Sequence, residues 1–348
     1  MQFRTFFTFY ISIRCDFHLE FPYHLGVRKF NRLGELRMKH FRQTTKSVLM
    51  WCFVLSFILA IPGFLSAEEN KVVDKTFKAK ELIEIKTVSG DVDIKKGNDN
   101  EIKVNVVYTF PPDKFEPTFA EEGNTLVLTE KFSNNVGHGV NGNSKWTLLV
   151  PANTKINFST ASGDLQADGI KNNIQVKAAS GDIELANFQG ELFVKNASGD
   201  VKAFNSNGKF QIKSASGDVI FTNVSGKLEI ANVSGDLTLK NVEFKEAASI
   251  STVSGDMEIQ LGKPLTVDLE LSAISGDILL DYNGTPIKGH FEFKGNVENF
   301  SAPFRTKKAE EDNDEHIKIP FGNISHSENG DTPRISIKSI SGEAKIKK

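Results

Sequence analysis

Five Ser-Gly-Asp triplets stand 18 residues apart, at Ser162-Gly163-Asp164, Ser180-Gly181-Asp182, Ser198-Gly199-Asp200, Ser216-Gly217-Asp218 and Ser234-Gly235-Asp236. Residues of these types serve three kinds of chemistry. A serine beside a general base is a nucleophile. A column of carboxylates can hold a hard cation such as calcium through its oxygens. A glycine between polar residues allows a tight corner, because it reaches backbone angles closed to other residues. The nucleophile lacks a base here, since no histidine falls between Ala161 and Asn241. Calcium-binding nonapeptide rolls share the period but use a Gly-Gly-x-Gly-x-Asp bend that supplies carbonyl ligands, and the second glycine is missing. The triplets are therefore expected to be structural corners, with calcium at Asp164, Asp182, Asp200, Asp218 and Asp236 as the alternative.

Other chemistry-bearing residues are sparse. Lys177, Lys195 and Lys213 recur at one position of alternate repeats, a ladder that could hold an anionic glycan or lipid phosphate, or simply keep a face soluble. Lys209 and Lys227 lie at the nearby corner. The run Glu310–His316 contains Asp312 and Asp314 and could gather a divalent cation, although such a run is ordinarily a solvated loop. His138, His290, His316 and His326 form no H-x-H or H-E-x-x-H pair. Phe193, Phe204 and Ile220 fall at outward positions, where a cluster would suggest docking.

The elements that position these residues follow from the period. Ala161–Asn241 divides without a gap into nine nonapeptides of the form small-or-apolar, polar, Gly, polar, apolar, any, apolar, any, Asn. The fifth and seventh positions alternate as a half-buried strand does. Glycine at the third position, replaced once by Asn172, predicts a left-handed corner there. Asn at the ninth is a turn residue. Only alternate units carry Ser-Gly-Asp, so the full repeat is 18 residues, with two short strands and two different corners. That pattern suits an all-β fold, a single-stranded parallel β-solenoid whose coils stack about 4.8 Å apart. An antiparallel meander would alternate likewise, but the corners lack the two-residue Asn-Gly hairpin signal.

Further corners are expected at Gly255 and Gly276, in "VSGDMEI" and "ISGDILL". These join Gly163, Gly181, Gly199, Gly217 and Gly235. "LIEIKTVSGDVDI" (82–94) is an isolated upstream copy, and "PRISIKSISGEAKIKK" is a final variant one. The expected organisation is an N-terminal β region (68–160), regular repeats (161–280) and an irregular C-terminal β region with a cap (281–348), forming one continuous β-domain.

The first 67 residues differ from the rest. They hold both cysteines, nine of the 42 basic residues and three of the 44 acidic ones. From Met38, a basic stretch (Lys39, Arg42, Lys46) precedes the apolar run Val48–Ile61, the Pro62-Gly63 break and a small residue at Ala67. This reads as a secretory signal spanning 38–67 and cleaved after Ala67. The alternative is an uncleaved anchor over 47–67, long enough to cross a bilayer core. Residues 1–37 read as an extension ahead of the true start at Met38. The remaining chain is cysteine-free and carries 33 basic against 41 acidic residues. Such a body excludes disulfide frameworks and cysteine-ligated metal, and it argues against nucleic acid as partner.

The 82–94 segment, the "LLVPANTKINFSTASGDLQA" transition and the serial Ser-Gly-Asp copies resemble the bacterial "putative adhesin" domains. These are exported β-strand-repeat proteins related to the heads of autotransporter adhesins. The resemblance covers about residues 72–348 and is weakest over 281–333. It implies a parallel β-helix in the cell envelope and supplies no catalytic residues. The expected protein is exported to the periplasm, cell surface or medium and is not an enzyme. It needs no cofactor and contacts a surface glycan or another envelope protein. The competing expectations are a polysaccharide-acting β-helix enzyme, which requires outward acids with Arg or Lys on one face, and a calcium-dependent binding solenoid.

Overall fold

The repeat builds strands that pair with the next repeat, not with their neighbours in the chain. Ile183 lies opposite Val201, Val201 opposite Val219, and Val219 opposite Leu237, all in parallel register. The computed structural model describes residues 70–133, 141–305, 307–308 and 321–348. The signal-like segment with Ala67, and Asp312, Asp314, His138 and His316, lie outside the described residues.

Two runs of parallel strands emerge. The first passes from Leu82–Lys86 through Lys155–Ser162, Ile174–Ser180 and Gln189–Ser198. It continues through the second halves of Val201–Ser216 and Val219–Ser234 to Ala248–Ser254, Leu269–Ser275 and Arg334–Ser339. The second passes from Asp91–Lys96 through Leu165–Asp168 and Ile183–Ala186 to the first halves of the same two long strands. It ends with Leu237–Phe244, Met257–Leu261, Ile278–Asp281 and Ala344–Lys347. The isolated copies at 82–96 and 334–347 thus stack directly on the array from which sequence distance separates them. The protein is all-β and solenoid-like, with no α-helix among the described residues. None of their helices is long and apolar enough to cross a membrane.

The core follows the period of two. Ile183, Leu185, Leu192, Val194, Val219 and Phe221 are all buried. Burying each such side chain contributes about 1.5–3 kcal/mol before entropy is subtracted. Phe210 bridges the layers, with its ring 6.0 Å from Phe188 and 5.4 Å from Phe221. Phe193, Phe204 and Ile220, expected outward, are only half-buried.

Antiparallel strands cover both ends. At the start, Glu101–Tyr108 pairs antiparallel with both Lys71–Lys78 and Ser144–Val150. The hairpin Phe115–Glu122/Thr125–Phe132 covers the other run through Leu82–Lys86. At the finish, Gly289–Asn296 lies beside Arg334–Ser339 and pairs antiparallel with Phe321–Glu328. Such covers pair the edges of the parallel runs, which would otherwise recruit another chain, and leave irregular antiparallel strands outermost.

One detail of the corners differs from the expectation. The left-handed residue is the asparagine that ends the Ser-Gly-Asp units: Asn187, Asn205, Asn223 and Asn241 have φ between +50° and +57°. The Ser-Gly-Asp glycines from Gly181 to Gly276 sit at larger positive φ, from +109° to +136°. There the cause is proximity as much as torsion. A Cβ on Gly217 would strike the carbonyl oxygen of Gly199, and the same collision recurs from corner to corner. Glycine is required because successive corners stack backbone on backbone.

Candidate functional site

The Ser-Gly-Asp aspartates form a ladder along one edge. The N–H of Asp182 donates to Oδ1 of Asp164 at 2.8 Å, Asp200 to Asp182 at 2.8 Å, Asp218 to Asp200 at 3.0 Å and Asp236 to Asp218 at 2.8 Å. Asp91 begins the series, and Asp256, Asp277 and the N–H of Glu343 continue it. Each carboxylate therefore receives a backbone donor that a parallel corner would otherwise leave without a partner. Asp200 is held below its ordinary pKa, first by the N–H of Asp218 and then by Lys202, whose Nζ is 3.0 Å from Oδ2. Behind the corner glycines lies a line of buried polar residues. Asn232 Nδ2 donates to the carbonyls of Gly217, Ser234 and Gly235, and Asn196 does likewise to Gly181 and Gly199.

One carboxylate invisible to the repeat completes this edge. Glu130, buried in the covering hairpin, accepts the N–H groups of Val88 and Ser89 at 2.7 and 3.3 Å, the Trp146 Nε1–H at 3.3 Å and the Ser144 hydroxyl. Nothing in "TLVLTEKF" marks it, because its partners come from segments over 40 residues away as well as from Ser144 and Trp146.

Lys177, Lys195 and Lys213 stand directly opposite one another, all exposed, and none has an ion-pair partner among the described residues. The column then changes to Ala231. Lys209 and Lys227 are also neighbours, and Lys227 pairs with Glu229 at 2.5 Å.

Further along the same outer face the register assembles an acidic groove of about 580 Å³. Its floor is the file Glu229, Ser249, Glu270, Ser336, Glu292, one residue from each successive strand. At one strand spacing per step, successive glutamates stand about 10 Å apart, with a serine hydroxyl between them. Arg334 flanks the file, with Nε 3.9 Å from Glu292 and its backbone N–H donating to Asp268 Oδ1 at 2.8 Å. Lys338 pairs with Glu270 at 2.7 Å. Glu229 is held below its ordinary pKa by hydrogen bonds from Lys227 first and Gln211 second. It stays ionised and suits recognition better than proton donation. His290, outside the repeat array, reaches Glu292 at 3.3 Å. The sequence contains these acids but not their proximity, because Glu292 belongs to a strand inserted out of chain order. No group of three or more His, Cys, Asp or Glu side chains among the described residues is arranged to hold a metal ion.

Stacked parallel strands, stacked glycine corners and antiparallel covers at each end define an all-β repeat protein. The chain belongs to the Toastrack DUF4097 family, whose model matches residues 80–314. No curated protein matches it. Among solved structures, it is similar to a "putative lipid binding protein" from Parabacteroides distasonis, at 14% identity and a TM-score of 0.46, covering 80% of this chain and 97% of that one. A "putative adhesin" from the same organism matches at 11% identity and a TM-score of 0.46, covering 80% and 96%. Another "putative adhesin", from Bacteroides fragilis, matches at 14% identity and a TM-score of 0.39, again covering 80% and 96%. Likeness at this level carries no ligand or partner across.

Proposed function

We propose that this protein is an exported, non-enzymatic β-solenoid of the bacterial cell envelope that works by surface contact, and that its ligand is a surface glycan. In this reading the array is a single-stranded parallel β-helix with two short strands per coil, kin to autotransporter-adhesin heads. The 18-residue register supports that winding. Residues 38–67 direct export to the periplasm, cell surface or medium, and residues 47–67 tether the protein to the membrane if they are retained.

The observation that carries the reading is the groove. Its alternating carboxylates and hydroxyls accept and share hydrogen bonds with sugar hydroxyls along a line, and Arg334 adds donors. The same acids are what a polysaccharide-cleaving enzyme would need. Against that second reading, Glu229 and Glu270 are each paired with a lysine. The Lys177–Lys195–Lys213 ladder adds a basic stretch to the same face, suited to anionic portions of a glycan or of an envelope partner.

A glycan array tests the proposal. The wild-type protein is expected to bind one neutral or mixed-charge glycan class, and Glu270→Lys with Glu292→Lys to lose at least tenfold in affinity without a change in melting. Glycan cleavage on the array would favour the enzyme. Binding untouched by the double variant would place the contact elsewhere.

A further inference from the structure

Among the described residues, eight large apolar side chains are well exposed, and five of them lie on one line: Val88, Val233, Val253, Ile274 and Ile340, each 41–55% exposed. Each immediately precedes a corner triplet. Ala161, Ala179, Ala197 and Ala215 fill the remaining levels and are exposed too. Strand register makes this a continuous column of nine apolar residues, one per level, rising from alanine mid-array to isoleucine at the C-terminal end. Scattered apolar residues on a surface need no explanation, but a straight file of them does. Folding supplies no reason for it, because the file faces away from the core.

We propose that two copies of this chain associate side by side along this edge, in parallel, about a two-fold axis running along the stack. Charge decides the orientation. On one flank of the apolar file stand Lys177, Lys195 and Lys213, two residues before it in sequence; on the other flank stands the aspartate ladder, three residues after it. Rotation about an axis along the file lays each lysine flank over the aspartate flank of the second copy. Lys177 then meets the level of Asp182, and Lys213 that of Asp218. Apart from its Oδ1, which receives the N–H of the next level, neither aspartate has an ion pair among the described residues. The antiparallel alternative would lay one carboxylate column along another, a like-charge arrangement that disfavours pairing.

In the parallel arrangement every apolar residue meets its own equivalent, the self-complementarity that a two-fold interface requires. Nine levels at about 4.8 Å make a strip roughly 40 Å long, and with its flanks it covers about 500 Å² per copy. The total, about 1,000 Å², lies at the lower limit for a specific association. The dimer is therefore expected at micromolar concentration. In the dimer the Lys177–Lys195–Lys213 ladder faces the second copy, while the acidic groove of Glu229, Glu270 and Glu292 is not part of the pairing, so the dimer does not depend on glycan binding in the groove.

Single cysteines test it, in the full chain with Cys15→Ser and Cys52→Ser. Under mild oxidation, Val88→Cys, Ala215→Cys and Ile274→Cys are each expected to give a disulfide-linked dimer. Lys240→Cys, on the other strand run, gives none. Dimers from Ala215→Cys alone would mean the antiparallel arrangement and overturn the proposal. Dimers from none would overturn it as well. Sedimentation equilibrium provides a second reading. Ile274→Asp is expected to weaken dimerisation at least tenfold with melting unchanged, as the site is on the surface. A wild-type chain that remains monomeric, or one that binds only lipid vesicles through this edge, would refute the pairing.

Discussion

At Asp200 a carboxylate serves folding, and its behaviour with pH follows. Its pKa is lowered in the folded chain by the Asp218 N–H and by Lys202. A depressed folded pKa stabilises above the unfolded value of about 3.9, and that stabilisation is lost as pH falls through the folded value. Stability should therefore fall in acid below about pH 4, and Asp200→Asn should flatten that acid limb while keeping most of the hydrogen bond. Asp200→Ala removes the acceptor and is expected to cost about 1 kcal/mol at neutral pH by chemical denaturation, a figure kept low because the corner is partly solvated. Gly217→Ala meets both a φ of +113° and the Gly199 carbonyl, so a loss of roughly 2–4 kcal/mol is expected. Tyr282 lies the other way. Its hydroxyl is buried with no hydrogen-bond partner among the described residues, and burial pushes its pKa up. Tyr282→Phe should leave stability unchanged or raise it by up to about 1 kcal/mol.

Among the elements, the covering strands carry more than their irregular sequence suggests. Glu130→Ala would leave the N–H groups of Val88 and Ser89 and the Trp146 indole without an acceptor. We expect a loss of roughly 3 kcal/mol, with hydrogen exchange fastest in 82–132, the first coil and its cover. The array itself was legible, because a period of two inside a period of 18 has few solutions. The role of asparagine was only half legible: composition marks Asn187 and Asn223 as turn residues, while the division of labour with glycine depends on how closely corners stack. Glu130 was not legible at all, since burial among donors from distant segments leaves no local pattern. The acidic groove was hidden for the same reason. Glu292 joins Glu229 and Glu270 on one face only because Gly289–Asn296 is placed beyond Arg334–Ser339. The exposed apolar file was present in the repeat as its first position, yet nothing local told an outward valine from an inward one.

Across the whole molecule, the Ser-Gly-Asp triplets hold one repeat to the next, and in the reading proposed above contact with other molecules falls to the groove and to the apolar edge. That division separates a scaffold whose triplets fold it from a calcium-dependent solenoid whose triplets bind metal. The direct measurement is thermal unfolding of the wild-type protein and of Asp200→Asn, each in millimolar calcium and in chelator at neutral pH. The account predicts the same melting temperature with and without calcium for both proteins, with Asp200→Asn only slightly lower. A rise of several degrees in calcium for the wild type, lost in Asp200→Asn, would contradict it and make the aspartate ladder a metal site.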